Sequence, residues 1–493
     1  MSIVAIIVPL AAVTIYCDTL RQIPGPFIAR WTPLWLGYQA WMGRCYLAID
    51  MKYGPVVRIA PTHFSVAHPD AVGIVYGHSH GGELTFDKSQ FYDAFVAGTP
   101  SVFSTTNRKD HAYKRRIVSQ AFSYRALEQF SPFIQTNVAT FVSKLDSMCE
   151  KEGSIDLLKW FNYLTFDILS DLAFGEPLGM LATGTSVVSA QQTDGTVKKE
   201  DAIALVDKRE HISAVLGISP WFPWLARILP DPFYSSGRES ATGLADFARR
   251  NVWKRLNSGA HREDILGKLI AARESEVDTE MIKELVAETV TLLSAGSDTT
   301  ASSLTALIYF VKTHPQIHRK LTAELKQVID QEDIPTHTQV KKLEYLRVVI
   351  NEGLRHYATM ATGFPELCLR GGGTFFGQNL PAGTEISVPA FTIQHHDSIW
   401  GDPDVFRPER WLESPEKRKY LSRYLLTFGK GPRACVSAHT NHIMIGLACM
   451  ETQLILATVI HRYNIELESD HLDSTEGFVH KTKHLLVKLS RKF

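Results

Sequence analysis

The segment spanning residues 278–312 constrains the fold more than any other. Apolar Ile282, Leu285, Val286, Val290, Leu292 and Leu293 precede Ala295-Gly296-Ser297-Asp298-Thr299-Thr300, and Leu304, Leu307 and Ile308 follow it. That periodicity predicts one long, mostly buried helix. Its middle breaks local rules. A helix-interior Gly costs about 0.8–1 kcal/mol against Ala, and Asp and paired Thr are poor choices there as well. Rules broken inside a strong helix point to a functional site. Taken alone, the hexapeptide fits a Thr-rich kink packed on a neighbour equally well.

A second feature lies near the C-terminus. The run Phe428-Gly429-Lys430-Gly431-Pro432-Arg433-Ala434-Cys435-Val436-Ser437 precedes a helix-like apolar segment. One cysteine in a glycine-bordered loop, behind an arginine, suits a thiolate bound to a buried haem iron. A thiolate ligand pushes electron density onto the iron and favours O–O cleavage. The ligand must be deprotonated, so it needs nearby positive character or donors. Gly431, without a Cβ, would let the backbone approach a porphyrin. Backbone N–H groups at the start of the next helix would stabilise the sulfur charge. Arg433 suits a haem propionate. An isolated cysteine is more often buried and inert; the combination of Phe428, Gly431, Arg433 and Cys435 argues against that here.

The loop resembles the Phe-x-x-Gly-x-Arg-x-Cys signature of the cytochrome P450 family, and further matches occur in the family's order. Glu352-Gly353-Leu354-Arg355 matches its Glu-x-x-Arg, a spacing that lets the two charges pair on one helix face. Phe406-Arg407-Pro408-Glu409-Arg410-Trp411 resembles its Pro-Glu-Arg segment, and the similarity runs from His395 to Trp411. His395 and His396 have no ligand partner at a metal-site spacing and read as loop histidines. The resemblance implies that Glu352, Arg355 and Arg410 form a buried three-charge lock behind the haem loop. It also implies that Gly296 opens the long helix for O2, that Thr299 hydrogen-bonds the bound oxygen, and that Asp298 relays protons. His111-Ala112-Tyr113-Lys114-Arg115-Arg116 stands in place of the family's Trp-x-x-x-Arg, a variant associated with fungal members. His111 and Arg115, one turn apart, are then propionate partners; an exposed basic turn is the plainer alternative.

The implied fold is mainly α with small β-sheets. It comprises an N-terminal anchor at residues 1–20, a proline-rich linker at 21–30 and one catalytic domain at 31–493. Strand candidates lie at 56–59, 64–66, 386–388 and near the C-terminus. The polar interruption at 186–201 reads as a surface loop. Six scattered cysteines show neither a disulfide framework nor zinc spacing. Lys+Arg and Asp+Glu balance at 52 each, so nothing electrostatic points to nucleic acid. The uncharged run at 3–17 is shorter than the ~20 residues usually needed to cross a bilayer. It lacks the basic start and the cleavage site of a secretory signal. With Pro24-Gly25-Pro26 behind it, it resembles the family's signal anchor. That implies an endoplasmic-reticulum membrane, a cytosolic catalytic domain and an NADPH-dependent flavoprotein reductase as electron donor. Lys417, Arg418, Lys419, Arg423 and Lys430 are candidates for reductase docking or for an ordinary solvated patch. Trp221 and Trp224 suit a membrane interface or a packed aromatic loop.

The implied activity is a haem b monooxygenase, with Cys435 as axial ligand, acting on a small, largely apolar molecule in fungal secondary metabolism. Two departures stand out. Ser437 replaces a usual Gly, with His439, Asn441 and Met444 also unusual. Glu366 stands where many members carry a propionate-binding Arg; it must turn away or be compensated by a cation such as Arg370. Two alternatives stay open: a haem-thiolate isomerase or dehydratase working without O2, and a non-catalytic, membrane-anchored haem binder.

Overall fold

The computed structural model describes residues 20, 22–49, 53–77, 85–151, 153–191, 197–258, 262–273, 278–330, 333–369, 373–437 and 446–493. The expected anchor, Arg370, His439, Asn441 and Met444 lie outside them.

The long apolar segment is one helix, Thr279–Thr313. At 1.5 Å per residue it runs about 50 Å. Asp278 caps it, accepting from the Met281 N–H at 2.8 Å, and Pro315, opening the next helix, stops it. Three hydroxyls in its middle return to the backbone one turn earlier. Ser297 donates to the Leu293 carbonyl at 2.6 Å, Thr299 to Ala295 at 2.7 Å and Ser303 to Thr299 at 2.7 Å. This satisfies side chains that would otherwise be costly to bury. The helices Leu157–Phe174, Glu344–His356 and Leu447–Arg462 pack around it, and their apolar residues join its own in one main core.

A five-stranded mixed sheet flanks the helical body. Its order is Val56–Ala60, His63–Val66, Glu385–Ser387, Glu366–Cys368 and Phe86–Lys88. The last two strands run antiparallel and set Lys88 directly opposite Glu366. A separate hairpin, Ser474–Glu476 with His480–Thr482, carries Phe478 and Lys481 back to the central helix.

Two expectations change. The polar stretch at 186–201 is a β-hairpin, Val187–Gln191 with Val197–Asp201, rather than a loop. The described part of the proline-rich linker is fastened to the sheet: the Arg58 N–H donates to the Pro24 carbonyl at 2.8 Å, and Ile23 is buried.

Candidate active site

Cys435 and the centre of the long helix open onto one cavity. It encloses about 1690 Å³, its open mouth included. The Cys435 thiol is exposed to it. Phe428, Arg433 and Ser437 line it from the cysteine loop, and Gly296, Thr299 and Thr300 from the helix. The Cys435 N–H donates to the Phe428 carbonyl at 2.8 Å, closing the loop on itself. A softly ligating thiol, a broad apolar wall and buried cations at one end are what a haem requires, and the residues fit it.

Arg433 is spent on the protein. Its guanidinium donates to the carbonyls of Thr105 at 2.8 Å and Thr106 at 2.7 Å, and to Asp87 Oδ1 at 2.8 Å. Arg115 and His111 do not line the cavity. Arg115 donates to the carbonyls of Ala434 and Cys435, which ties the helix Arg108–Ala121 to the cysteine loop. Burial, then the charges of Arg433, Lys88 and Arg115, hold the His111 pKa down at about 3, so its ring is neutral. Gly431 serves a different contact from the one expected. Its φ is +65°, and a Cβ there would run into the Tyr76 carbonyl oxygen, so the glycine admits the end of the helix Pro69–Tyr76. Gly296 both lines the cavity and admits Leu169, which a Cβ would meet at 2.8 Å.

Asp298 is buried and faces away from the cavity. Its Oδ2 lies 3.6 Å from the Lys481 ammonium, which also contacts Asp207. Burial first, then the Asp207 charge, push Asp298 well above the usual carboxylate range. Burial lowers Lys481, but Asp298 and Asp207 raise it above its ordinary value, so it stays charged. Asp207 sits on the helix Ala202–Leu216 with its side chain 35% exposed, which gives the cluster a link to solvent. Asp207 and Lys481 escape a sequence reading because neither lies near a motif.

Behind the loop, Glu352 and Arg355 are fully buried. Glu352 Oε1 accepts from Arg355 Nη2 at 2.9 Å, Arg410 Nε at 3.1 Å and the Arg407 N–H at 3.0 Å. Its Oε2 accepts from Trp411 Nε1 at 2.9 Å. Gln394, also buried, connects this lock to the cysteine loop. Its amide donates to the Leu354 and Arg355 carbonyls, and its Oε1 accepts from the Leu426 N–H at 2.7 Å. Gln394 abuts the segment of resemblance that starts at His395, the only sequence signal for it.

Glu366 points into the cavity rather than away. The cation opposite it is Lys88, which also lines the cavity. Five rings, Tyr92, Phe95, Phe103, Phe364 and Phe478, form a connected aromatic wall. A second cavity of about 710 Å³ shares Met360, Phe364 and Phe478 with the first and extends toward the helix Leu34–Trp41.

The basic cluster is only partly available. Arg418 pairs with Glu344 at 3.0 Å, and Lys430 donates to the Ser422 carbonyl at 2.8 Å. Lys419 and Arg423 are exposed.

The family model described as Cytochrome P450 matches residues 22–489. A benzoate 4-monooxygenase of Aspergillus niger is 36% identical over 96% of this chain and 93% of its own length. Cytochrome P450 monooxygenases of Penicillium brasilianum and Botryotinia fuckeliana are 30% and 31% identical, over 92% and 95% of this chain and 89% and 84% of their own lengths.

Proposed function

The chain belongs to the cytochrome P450 family and is a haem-thiolate monooxygenase; from that premise we propose that Cys435 is the axial ligand and that a small aromatic molecule is the substrate. The observation that carries the ligand assignment is the exposure of Cys435 on the cavity wall shared with Gly296 and Thr299. The thiolate-bound haem supplies the oxygen-activating chemistry. The chain's residues supply the rest. Thr299, half-buried at the cavity wall, presents its hydroxyl to the reacting oxygen. Asp298, through Lys481 and the partly exposed Asp207, links the helix beside Thr299 to solvent and is the route by which protons are supplied. The aromatic wall excludes water and offers flat apolar faces to a planar substrate. The benzoate activity named for the Aspergillus niger relative supports this substrate class. A role in fungal secondary metabolism is the biological setting of this reading.

Electrons arrive from a membrane-bound NADPH-dependent flavoprotein reductase that docks on the face bearing Lys419 and Arg423. Residues 3–17 anchor the chain in the endoplasmic-reticulum membrane, with the catalytic domain in the cytosol. Among the described residues no helix is long and apolar enough to cross a membrane. Support for membrane contact comes from exposed Phe27, Trp31, Leu34, Trp221, Trp224 and Ile228. These surround the point where Gly37 meets the Phe222 ring.

The test combines spectroscopy with turnover. The reduced, carbon-monoxide-treated protein shows the thiolate-type absorption band, and Cys435→Ser abolishes it. With reductase, NADPH and O2, benzoate and related aromatic acids, phenols and esters are screened for hydroxylated product. A folded, haem-loaded protein without the thiolate band would overturn the ligand assignment. Turnover of aliphatic but not aromatic compounds would overturn the substrate class.

A further inference from the structure

Arg209 and Glu210, neighbours on the helix Ala202–Leu216, both line the large cavity. Each is more than nine-tenths buried: Arg209 is 5% and Glu210 6% exposed. A buried charge is tolerated when it is paired and hydrogen-bonded. The Arg209 guanidinium is a planar fork of N–H donors. Among the described residues it donates once, from Nη2 to the Phe95 carbonyl at 2.7 Å, and it forms no ion pair. The other deeply buried arginines are treated differently. Arg355 reaches Glu352 and the Gln394 carbonyl, and Arg410 reaches Glu352, Asp402 and the Trp400 carbonyl. Arg209 is thus a buried cation on the cavity wall whose fork is mostly unspent.

We infer that Arg209 is the substrate-anchoring residue of this cavity and that the substrate is an aromatic carboxylic acid, its carboxylate held by the guanidinium and its ring laid on the aromatic wall. The inference rests on the monooxygenase reading of the same cavity and narrows its substrate class. Phe95 joins the two halves of such a site. Its carbonyl accepts from Arg209, and its ring packs against Phe103 at 5.5 Å and Phe478 at 4.6 Å. A carboxylate can meet the fork with two parallel N–H···O bonds. A doubly charged phosphate would bring one charge more than the guanidinium answers. A neutral phenol or ester would leave buried donors unmet, the situation in which a polar site discriminates most strongly. The electrostatics agree with the geometry. Burial lowers Arg209, yet a guanidinium keeps its charge in a protein. Burial pushes the Glu210 carboxyl up to about 8, the direction that weakens its hold on Arg209.

The experiment titrates the haem-loaded full chain by difference absorbance with two matched pairs, benzoate with methyl benzoate and hexanoate with methyl hexanoate. Wild type is expected to bind benzoate at least tenfold more tightly than methyl benzoate. Arg209→Gln, which loses the charge, is expected to weaken benzoate at least tenfold and leave methyl benzoate within twofold, with haem content and the thiolate band intact. Arg209→Lys, charged but without the fork, is expected to fall between. Should Arg209→Gln fail to fold, the acid-over-ester preference of the wild type and its reduction in Arg209→Lys still decide. Equal affinity of the wild type for benzoate and its ester, or parallel loss of both in Arg209→Gln, would overturn the inference. Loss of haem from folded Arg209→Gln would overturn it too, by assigning the arginine to the cofactor. The aliphatic pair and the band separate these failures from that of the underlying reading. A wild type that prefers hexanoate to its ester and binds neither aromatic keeps the anion anchor and overturns the aromatic class. A wild type without the thiolate band would indict the haem-thiolate reading and not Arg209.

Discussion

The Lys481 ammonium stands 3.6 Å from the buried Asp298 carboxyl and at the same time contacts the half-exposed Asp207. One cation thus spans the interior and the surface on the side of the long helix that faces away from the cavity. A buried acid whose pKa is raised by burial and which is joined to the surface through such a bridge is suited to proton transfer.

Replacing Asp298 with Asn removes the titratable carboxyl and keeps the shape. Turnover is expected to fall about 10²-fold, the usual scale of general acid catalysis, with a larger solvent isotope effect. Substrate affinity, read from the binding difference spectrum, stays within twofold. Asp207→Asn gives a smaller loss, because Lys481 remains. Steady-state kinetics in H2O and D2O check both, and wild-type turnover in Asp298→Asn would remove the relay.

The lock should dominate stability. Glu352 accepts from Arg355, Arg410, Arg407 and Trp411 with no exposure of its own carboxyl. Glu352→Gln leaves the buried Arg355 guanidinium without a carboxylate, while Arg410 keeps Asp402 at 2.6 Å, and is expected to cost about 3–5 kcal/mol. Glu344 also serves two arginines, Arg347 and Arg418, but its side chain is 56% exposed. Glu344→Gln is expected to cost under about 1 kcal/mol. Denaturant unfolding of the two variants side by side measures the contrast.

Glu451 gives a pH signature. It is buried on the helix Leu447–Arg462, and its Oε1 has no hydrogen-bond partner among the described residues. Burial raises its pKa from 4.5 to about 8. Between those values the folded chain keeps a proton that the unfolded chain has released. Its contribution is therefore complete below pH 4.5 and is lost as pH rises through about 8. Unfolding midpoints taken from pH 5 to 8 in wild type and Glu451→Gln should diverge steadily, with the variant gaining as pH rises. Parallel curves would place a counter-charge beside Glu451.

The Phe478 ring packs tilted at 52° against Phe95, centroids 4.6 Å apart, and lines both cavities. Phe478→Ala should weaken binding of an aromatic substrate up to about tenfold, near the upper end of the roughly 0.5–1.5 kcal/mol of a ring pair. Binding of an aliphatic ligand of equal size should change less. Titration of both ligands by difference absorbance reads the ratio.

Much of the site was legible because its residues are close in sequence to one another. The three-residue spacing from Glu352 to Arg355 puts both groups on one helix face. The long helix was readable from its period alone, with bounds within a residue or two of those observed. The hairpin at 187–201 is hard to read from sequence because Val187, Val188, Ala190 and Val197 do not alternate strictly with polar residues and Lys198 to Asp201 are all charged. The pattern places His111 one turn from Arg115, but only the fold shows that burial and neighbouring cations lower its pKa and that it does not line the cavity.

The sequence by itself determined the family, the thiol, the acid–alcohol pair and the lock, since each is a local pattern of few residues. It could not show that Gly431 makes way for Tyr76, that Asp298 neighbours Lys481 and through it Asp207, or that Glu366 stands opposite Lys88 in the sheet. Those partners are brought together from distant segments by strand register and helix packing. Burial then makes their charges matter, because the cost of an unpaired charge is set by the medium around it. Only the tertiary structure supplies that medium.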